Sequence, residues 1–113
     1  MRIRSIKPEF WRFEPGVFRI DPRDRKSWKK LGQARPAHEL LYRLYDHDMS
    51  LLYVGITWHP FARWTTHASR KTWWLDVRYA SLVEYPDDRS ARDAETIAIH
   101  TELPIYNIHQ ARR

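Results

Sequence analysis

Residues 40–57 read LLYRLYDHDMSLLYVGIT, and the fold follows from how that stretch is taken. Two runs rich in leucine and tyrosine, ELLYRLY at 39–45 and LLYVGI at 51–56, have the composition of strands. DHDMS between them supplies turn chemistry, although without the usual glycine. Taken as a hairpin with an even-numbered loop centred between His47 and Asp48, the stretch sets Tyr42 directly opposite Tyr53 on one face. A slip of one residue would send the two rings to opposite faces of the sheet.

The pattern continues beyond the hairpin. Pro60 suits the first turn of a helix running to about residue 70. Phe61, Trp64 and Ala68 would face a core from it, and Arg63 and His67, four apart, share a neighbouring face. VRYASLVEY at 77–85 reads as a third strand. SARD at 90–93 has capping-box form and predicts a helix to about residue 102, stopped by Pro104. The order β-β-α-β-α predicts an α+β domain over 37–113, with a small three-stranded antiparallel sheet flanked by helices. Residues 1–36 differ in character. Four prolines interrupt them, and aromatics such as Phe10, Trp11, Phe18 and Trp28 are interleaved with charge. They predict an irregular arm that packs on the domain, with one short helix near 26–33.

Charge divides along the same boundary. Residues 1–36 hold 11 Lys/Arg against 4 Asp/Glu, a balance of +7, whereas residues 37–113 hold 9 against 10, a balance of −1. A basic segment of this kind suits a polyanion, most often nucleic acid. Lys26, Lys29 and Lys30 in DPRDRKSWKK would track a phosphate backbone with Trp28 stacking, or form a solvated loop. The absence of cysteine excludes disulfides and thiolate metal sites. The charged opening MRIRSIKPEFW lacks the apolar core of a signal peptide, and no apolar run is long enough to span a bilayer. The expectation is a cytoplasmic protein with no membrane partner.

The last helix carries an anomaly. Ala91, Ala94, Ala98 and Ile99 form a core-facing stripe, and Glu95 sits within it. A carboxylate there needs a partner: an ion pair at the stripe's edge with Arg63 or Arg92, or a bound cation. Residue by residue, other sites are equally open. Tyr42 and Tyr53 suit an ordinary cross-strand aromatic pair, Arg63 and His67 a solvated helix face, and Asn107 a turn. His38, His47, His59, His100 and His109 have no zinc-ligand spacing and predict surface histidines. Alternation predicts one buried and one exposed ring for Trp73 and Trp74.

Taken together, residues 39–109 resemble the GIY-YIG nucleases. Leu40-Leu41-Tyr42 stands where Gly-Ile-Tyr is usual, and Tyr53-Val54-Gly55 where Tyr-Ile-Gly is usual. Thr57 matches a threonine common two residues after that glycine. Arg63 has the family's spacing from Tyr53 for a phosphate-binding arginine, and His67 matches a histidine of one branch. Glu95 lies on the last helix like the family's metal-binding glutamate, and PIYN, ending in Asn107, is similar to its closing motif. The departures are Leu40, Leu41 and Val54; none removes a catalytic group.

The resemblance implies a metal-dependent DNA endonuclease, and the lack of a long appended specificity domain leads to the expectation of a phage or mobile-element type. One Mg²⁺ or Mn²⁺ would be held by Glu95, with waters and phosphate oxygens completing its shell. Tyr42 would act as general base or orient the attacking water, and Tyr53 would position water or phosphate. Arg63 would bind the scissile phosphate, His67 would assist proton transfer, and Asn107 would hold the geometry. Arg63, Arg70 and Lys71 would add to the DNA grip of the arm lysines, and a homodimer is compatible with the chain. The competing reading is a non-catalytic nucleic-acid-binding module on the same fold.

Overall fold

A computed structural model of the chain describes residues 17–29 and 38–107. They form an α+β domain with a four-stranded antiparallel sheet. In chain order the elements are strand β1 (Phe18–Arg19), helix α1 (Lys26–Lys29), strands β2 (Leu40–Tyr45) and β3 (Leu51–Thr57), and helix α2 (Pro60–Arg70). A 3₁₀ turn (Thr72–Asp76), strand β4 (Tyr79–Glu84), helix α3 (Asp88–Glu102) and a second 3₁₀ turn (Ile105–Asn107) follow. The sheet order is β1-β4-β2-β3. The expected β-β-α-β-α succession is present, but the sheet has four strands rather than three. The addition is β1, whose two residues pair with Tyr79 and Ala80 of β4. Two residues carry no periodicity, so pairing with β4 rather than local sequence defines this strand. Residues 30–33 of the expected short helix, with Lys30, lie outside the described residues, as do Phe10, Trp11 and His109. Among the described residues no helix is long and apolar enough to cross a membrane.

The hairpin forms in a different register from the expected one. Tyr42 stands opposite Gly55, and Tyr53 opposite Leu44. The connection, Asp46–Ser50, has an odd number of residues, and Met49 takes the left-handed backbone (φ 65°) that a glycine would usually supply. The Asp46 carboxylate organises it by accepting from the backbone N–H of Asp48 and Ser50, both at 2.9 Å. A bulge then falls between the pairs Leu44–Tyr53 and Tyr45–Leu51. It sets Leu52 and Tyr53 toward the same side, with Leu51 toward the other. The net displacement is two residues, which preserves the face, so Tyr42 and Tyr53 still share one side of the sheet.

β2 lies between two strands and packs on both faces, which explains its nearly unbroken apolar run. On one face Leu40, Tyr42, Leu44 and Leu82 join Trp28, Trp64, Trp73 and Trp74 in the larger core. On the other, Leu41 and Val54 meet Ala98 and Ile99 of α3. The described part of the arm belongs to the larger core: Trp28 is 2% exposed, lies edge-on to Trp74 at 4.9 Å, and directs its indole N–H to the Thr65 hydroxyl (3.3 Å).

Three local expectations change. The buried stripe of α2 is Pro60, Trp64 and His67, while Ala68 is exposed. α3 begins two residues before Ser90, with Asp87 as its cap: the Asp87 carboxylate accepts from the Ser90 backbone N–H (2.7 Å) and hydroxyl (2.8 Å). Trp73 and Trp74 are both buried, because their segment is a 3₁₀ turn and not an alternating strand. Leu103, with φ 52°, closes α3 in the left-handed conformation just before Pro104.

Candidate active site

Gly55 explains how the two arms of the hairpin fit together. The Tyr42 ring lies directly over it. A Cβ at residue 55 would stand 2.5 Å from the Tyr42 hydroxyl and 2.6 Å from Cζ. Glycine is needed for space, since the ring is fully buried and has nowhere to go. The Tyr42 ring then meets Tyr53 (6.1 Å, 27°) and stands edge-on to Trp64 (5.7 Å, 70°).

The Tyr42 hydroxyl lies 2.7 Å from Nε2 of His67, which is 3% exposed. Burial, and then the positive charges of Arg63 and Lys71, lower the His67 pKa to about 4. His67 is therefore neutral near pH 7. Burial, and then the neighbouring Tyr53, push the Tyr42 phenol far above its ordinary value, against the opposing pull of Arg63. The phenol keeps its proton and shares a hydrogen bond with the neutral imidazole, in which the tautomer with a bare Nε2 would accept from the hydroxyl. The Arg63 guanidinium sits beside the hydroxyls of both Tyr42 and Tyr53, and Tyr42 does most to hold it charged. Arg63 is exposed, and among the described residues no carboxylate forms an ion pair with it.

α3 packs on the opposite face from α2, and Glu95 lies on α3 near Arg63. Glu95 is half-buried. Its carboxyl is held above its ordinary value first by burial and then by the negative charge of Glu39, with Arg63 and Arg92 opposing. Glu39 opens the hairpin, and its Oε1 is buried without a hydrogen-bond partner; the Arg92 guanidinium is 3.6 Å away. Two half-buried carboxylates close enough to repel, one with an oxygen lacking a hydrogen-bond partner, are groups that could hold a hard divalent cation. Reading along the sequence missed Glu39. The available signal was a carboxylate at the head of a strand whose next residues are wholly buried.

Asn107 reaches across to the free edge of β3. Its side chain accepts from the Val54 backbone N–H (2.9 Å) and donates to the Val54 carbonyl (3.0 Å). It occupies the place of a neighbouring strand, and it fixes the backbone between Tyr53 and Gly55. Thus Tyr42, Tyr53, Arg63 and His67 gather on one side, Glu95 neighbours Arg63, and Asn107 braces the strand that carries Tyr53. The remaining basic candidates, Lys26, Lys29, Arg70 and Lys71, are exposed. His47, His59 and His100 are exposed and His38 half-buried. A second carboxylate group, Asp46, His47 and Asp48, brings one ligand atom from each residue within 4.8 Å in the hairpin turn. There the Asp46 carboxylate already serves the turn's backbone. No family model, curated protein or solved structure matches the chain.

Proposed function

We propose that this domain is a metal-dependent endonuclease of GIY-YIG type that hydrolyses DNA phosphodiester bonds, of the phage or mobile-element kind. The observation that carries the reading is the convergence of two tyrosine hydroxyls, a neutral buried histidine and an arginine that forms no ion pair among the described residues. Such a set combines an anion-binding fork with a route for a proton.

In the proposed reaction Arg63 grips the scissile phosphate, and Tyr53 orients phosphate or water through its hydroxyl. A water oxygen attacks phosphorus. Its proton passes to the Tyr42 oxygen as Tyr42 gives its own proton to Nε2 of His67, so Tyr42 never has to carry a full negative charge in a buried place. The P–O bond to the leaving oxygen breaks, and that oxygen takes a proton from solvent. A single Mg²⁺ or Mn²⁺ held by Glu95, with Glu39 close by, would neutralise charge on the phosphate and on the leaving oxygen. Asn107 keeps Tyr53 at its post. Lys26, Lys29, Arg70 and Lys71 supply backbone contacts to DNA.

The complete burial of Tyr42 favours one second reading, a non-catalytic nucleic-acid-binding module in which Tyr42 and His67 are a core hydrogen bond. Incubating the protein with plasmid, single-stranded and branched DNA in Mg²⁺, Mn²⁺ or EDTA separates the two. Cleavage with either ion and none in EDTA supports the nuclease. Binding without cleavage under every condition supports the module.

A further inference from the structure

The ring of Tyr42 opens a series that runs outward. Tyr53 stacks on Trp73 (5.1 Å, 22°), and Trp73 stacks in turn on Tyr106 (5.5 Å, 11°). Tyr42 is fully buried, Tyr53 is half-buried, Trp73 is 9% exposed, and the outermost ring, Tyr106, is 44% exposed. The outermost ring is held by its stack on Trp73 and by its neighbour in the chain. Trp73 is wedged between two tyrosines, and the residue after Tyr106 is Asn107, fastened to Val54 beside Tyr53. The exposed ring therefore keeps a fixed position relative to the hydroxyl of Tyr53, two rings inward. Covering Trp73 would need only an aliphatic side chain. A flat ring nearly parallel to the one beneath it also presents a π-face to whatever lies outside.

From this geometry we propose that Tyr106 is a stacking platform for an unpaired nucleobase near the scissile phosphate. The preferred substrate is accordingly a single strand, or a strand splayed from a duplex end or branch. A base inside a duplex has both faces covered by its neighbours and has no face to offer Tyr106. Lys71, which lies near His67, and Arg70 are exposed cations two and three residues before Trp73 and would supply charge for the strand's backbone. The inference rests on the nuclease reading for the position of the phosphate, but its central contact is independent of cleavage.

The test is binding in EDTA, where no metal-dependent cutting occurs. A fluorescein-labelled single-stranded oligothymidylate and a blunt duplex are titrated with wild type, Tyr106→Phe and Tyr106→Leu, and tryptophan fluorescence is followed in parallel. Tyr106→Leu keeps an apolar cover over Trp73 and removes the ring. Expected are single-strand affinity about tenfold weaker in Tyr106→Leu, near wild type in Tyr106→Phe, and unchanged duplex affinity. Tryptophan emission should be quenched by the single strand in wild type. Equal single-strand binding by wild type and Tyr106→Leu overturns the proposal, as does an equal loss on both DNAs. Plasmid and single-strand cleavage in Mg²⁺ is measured beside it. Tyr106-dependent binding without any cleavage sinks the nuclease reading and leaves the platform. Cleavage indifferent to Tyr106 does the reverse, and no binding to any DNA overturns the platform.

Discussion

The two faces of the sheet solve the problem of a polar group near a core in opposite ways. On the α3 face Arg43 is closed off by Glu102 in a bidentate pair, Nε to Oε1 at 2.8 Å and Nη2 to Oε2 at 2.7 Å. Fork meets fork, and each group's best geometry is spent on the other. On the α2 face Arg63 sits beside two phenol hydroxyls and, among the described residues, forms no ion pair with a carboxylate. Beneath it a tyrosine and a histidine are buried together with a proton between them. The first face is an arrangement that stabilises itself. The second buries a tyrosine–histidine pair beside an exposed arginine, and burial shifts the pKa of both members of the pair.

The largest loss is expected at Glu95, which α3 carries from the other face to the neighbourhood of Arg63. Glu95→Gln keeps the volume and removes the charge, so it should abolish cleavage and leave DNA binding in place. Stability provides the check. Burial lifts the Glu95 pKa in the folded protein, so its proton stabilises the fold fully below the ordinary carboxylate value and is lost as pH rises through the folded value. The variant should therefore gain stability over wild type at neutral pH and not in acid. Wild-type cleavage rates in Glu95→Gln would remove Glu95 from the site.

Tyr42→Phe comes next in size. It keeps the ring above Gly55 and deletes the hydroxyl bonded to His67. A fall in cleavage rate of roughly 10²-fold or more suits a proton-transfer role, and single-turnover kinetics measure it. A rate near wild type would make that hydrogen bond purely structural. Gly55→Ala probes the same packing from below. The new methyl meets a ring that cannot move, and overpacking should cost about 1–3 kcal/mol in chemical denaturation. No loss would mean that the ring shifts freely.

These sites differ in how much of them a reader of the sequence could see. The helices announced themselves through Pro60, Pro104 and the alanine stripe, because local chemistry sets helix ends. The shared face of Tyr42 and Tyr53 was legible although their register was not: side-chain direction depends only on parity, whereas register depends on loop length and on a bulge near Leu52 that no residue type signals. β1 was illegible because two residues have no period. Asp87 was passed over for Ser90 because both are good caps and only the start of α3 decides between them. The approach of Glu39 to Glu95 and the clasp of Asn107 on Val54 depend on packing across the fold. The resemblance placed Asn107 in the site and was silent about Glu39.

The smallest expected effect lies in the arm. Changing Lys26, Lys29 and Lys30 together to Gln should flatten the dependence of log affinity on log salt. The slope should fall by up to about one unit for each phosphate that no longer meets a lysine, with the fold intact. Trp28 and Ile20, which the arm contributes to the core, are left alone. An unchanged slope would make the arm structural only.

The most direct measurement applies one substitution to both faces. Arg63→Gln and Arg43→Gln are compared for plasmid cleavage in Mg²⁺ and for thermal stability. Arg63→Gln should lower cleavage by orders of magnitude and melt like wild type. Arg43→Gln should cleave like wild type and be destabilised by about 0.5–1 kcal/mol, because its pair with Glu102 is partly solvent-screened. Equal cleavage by Arg63→Gln and wild type, or no metal-dependent cleavage by wild type at all, would contradict the assignment of phosphate chemistry to the α2 face.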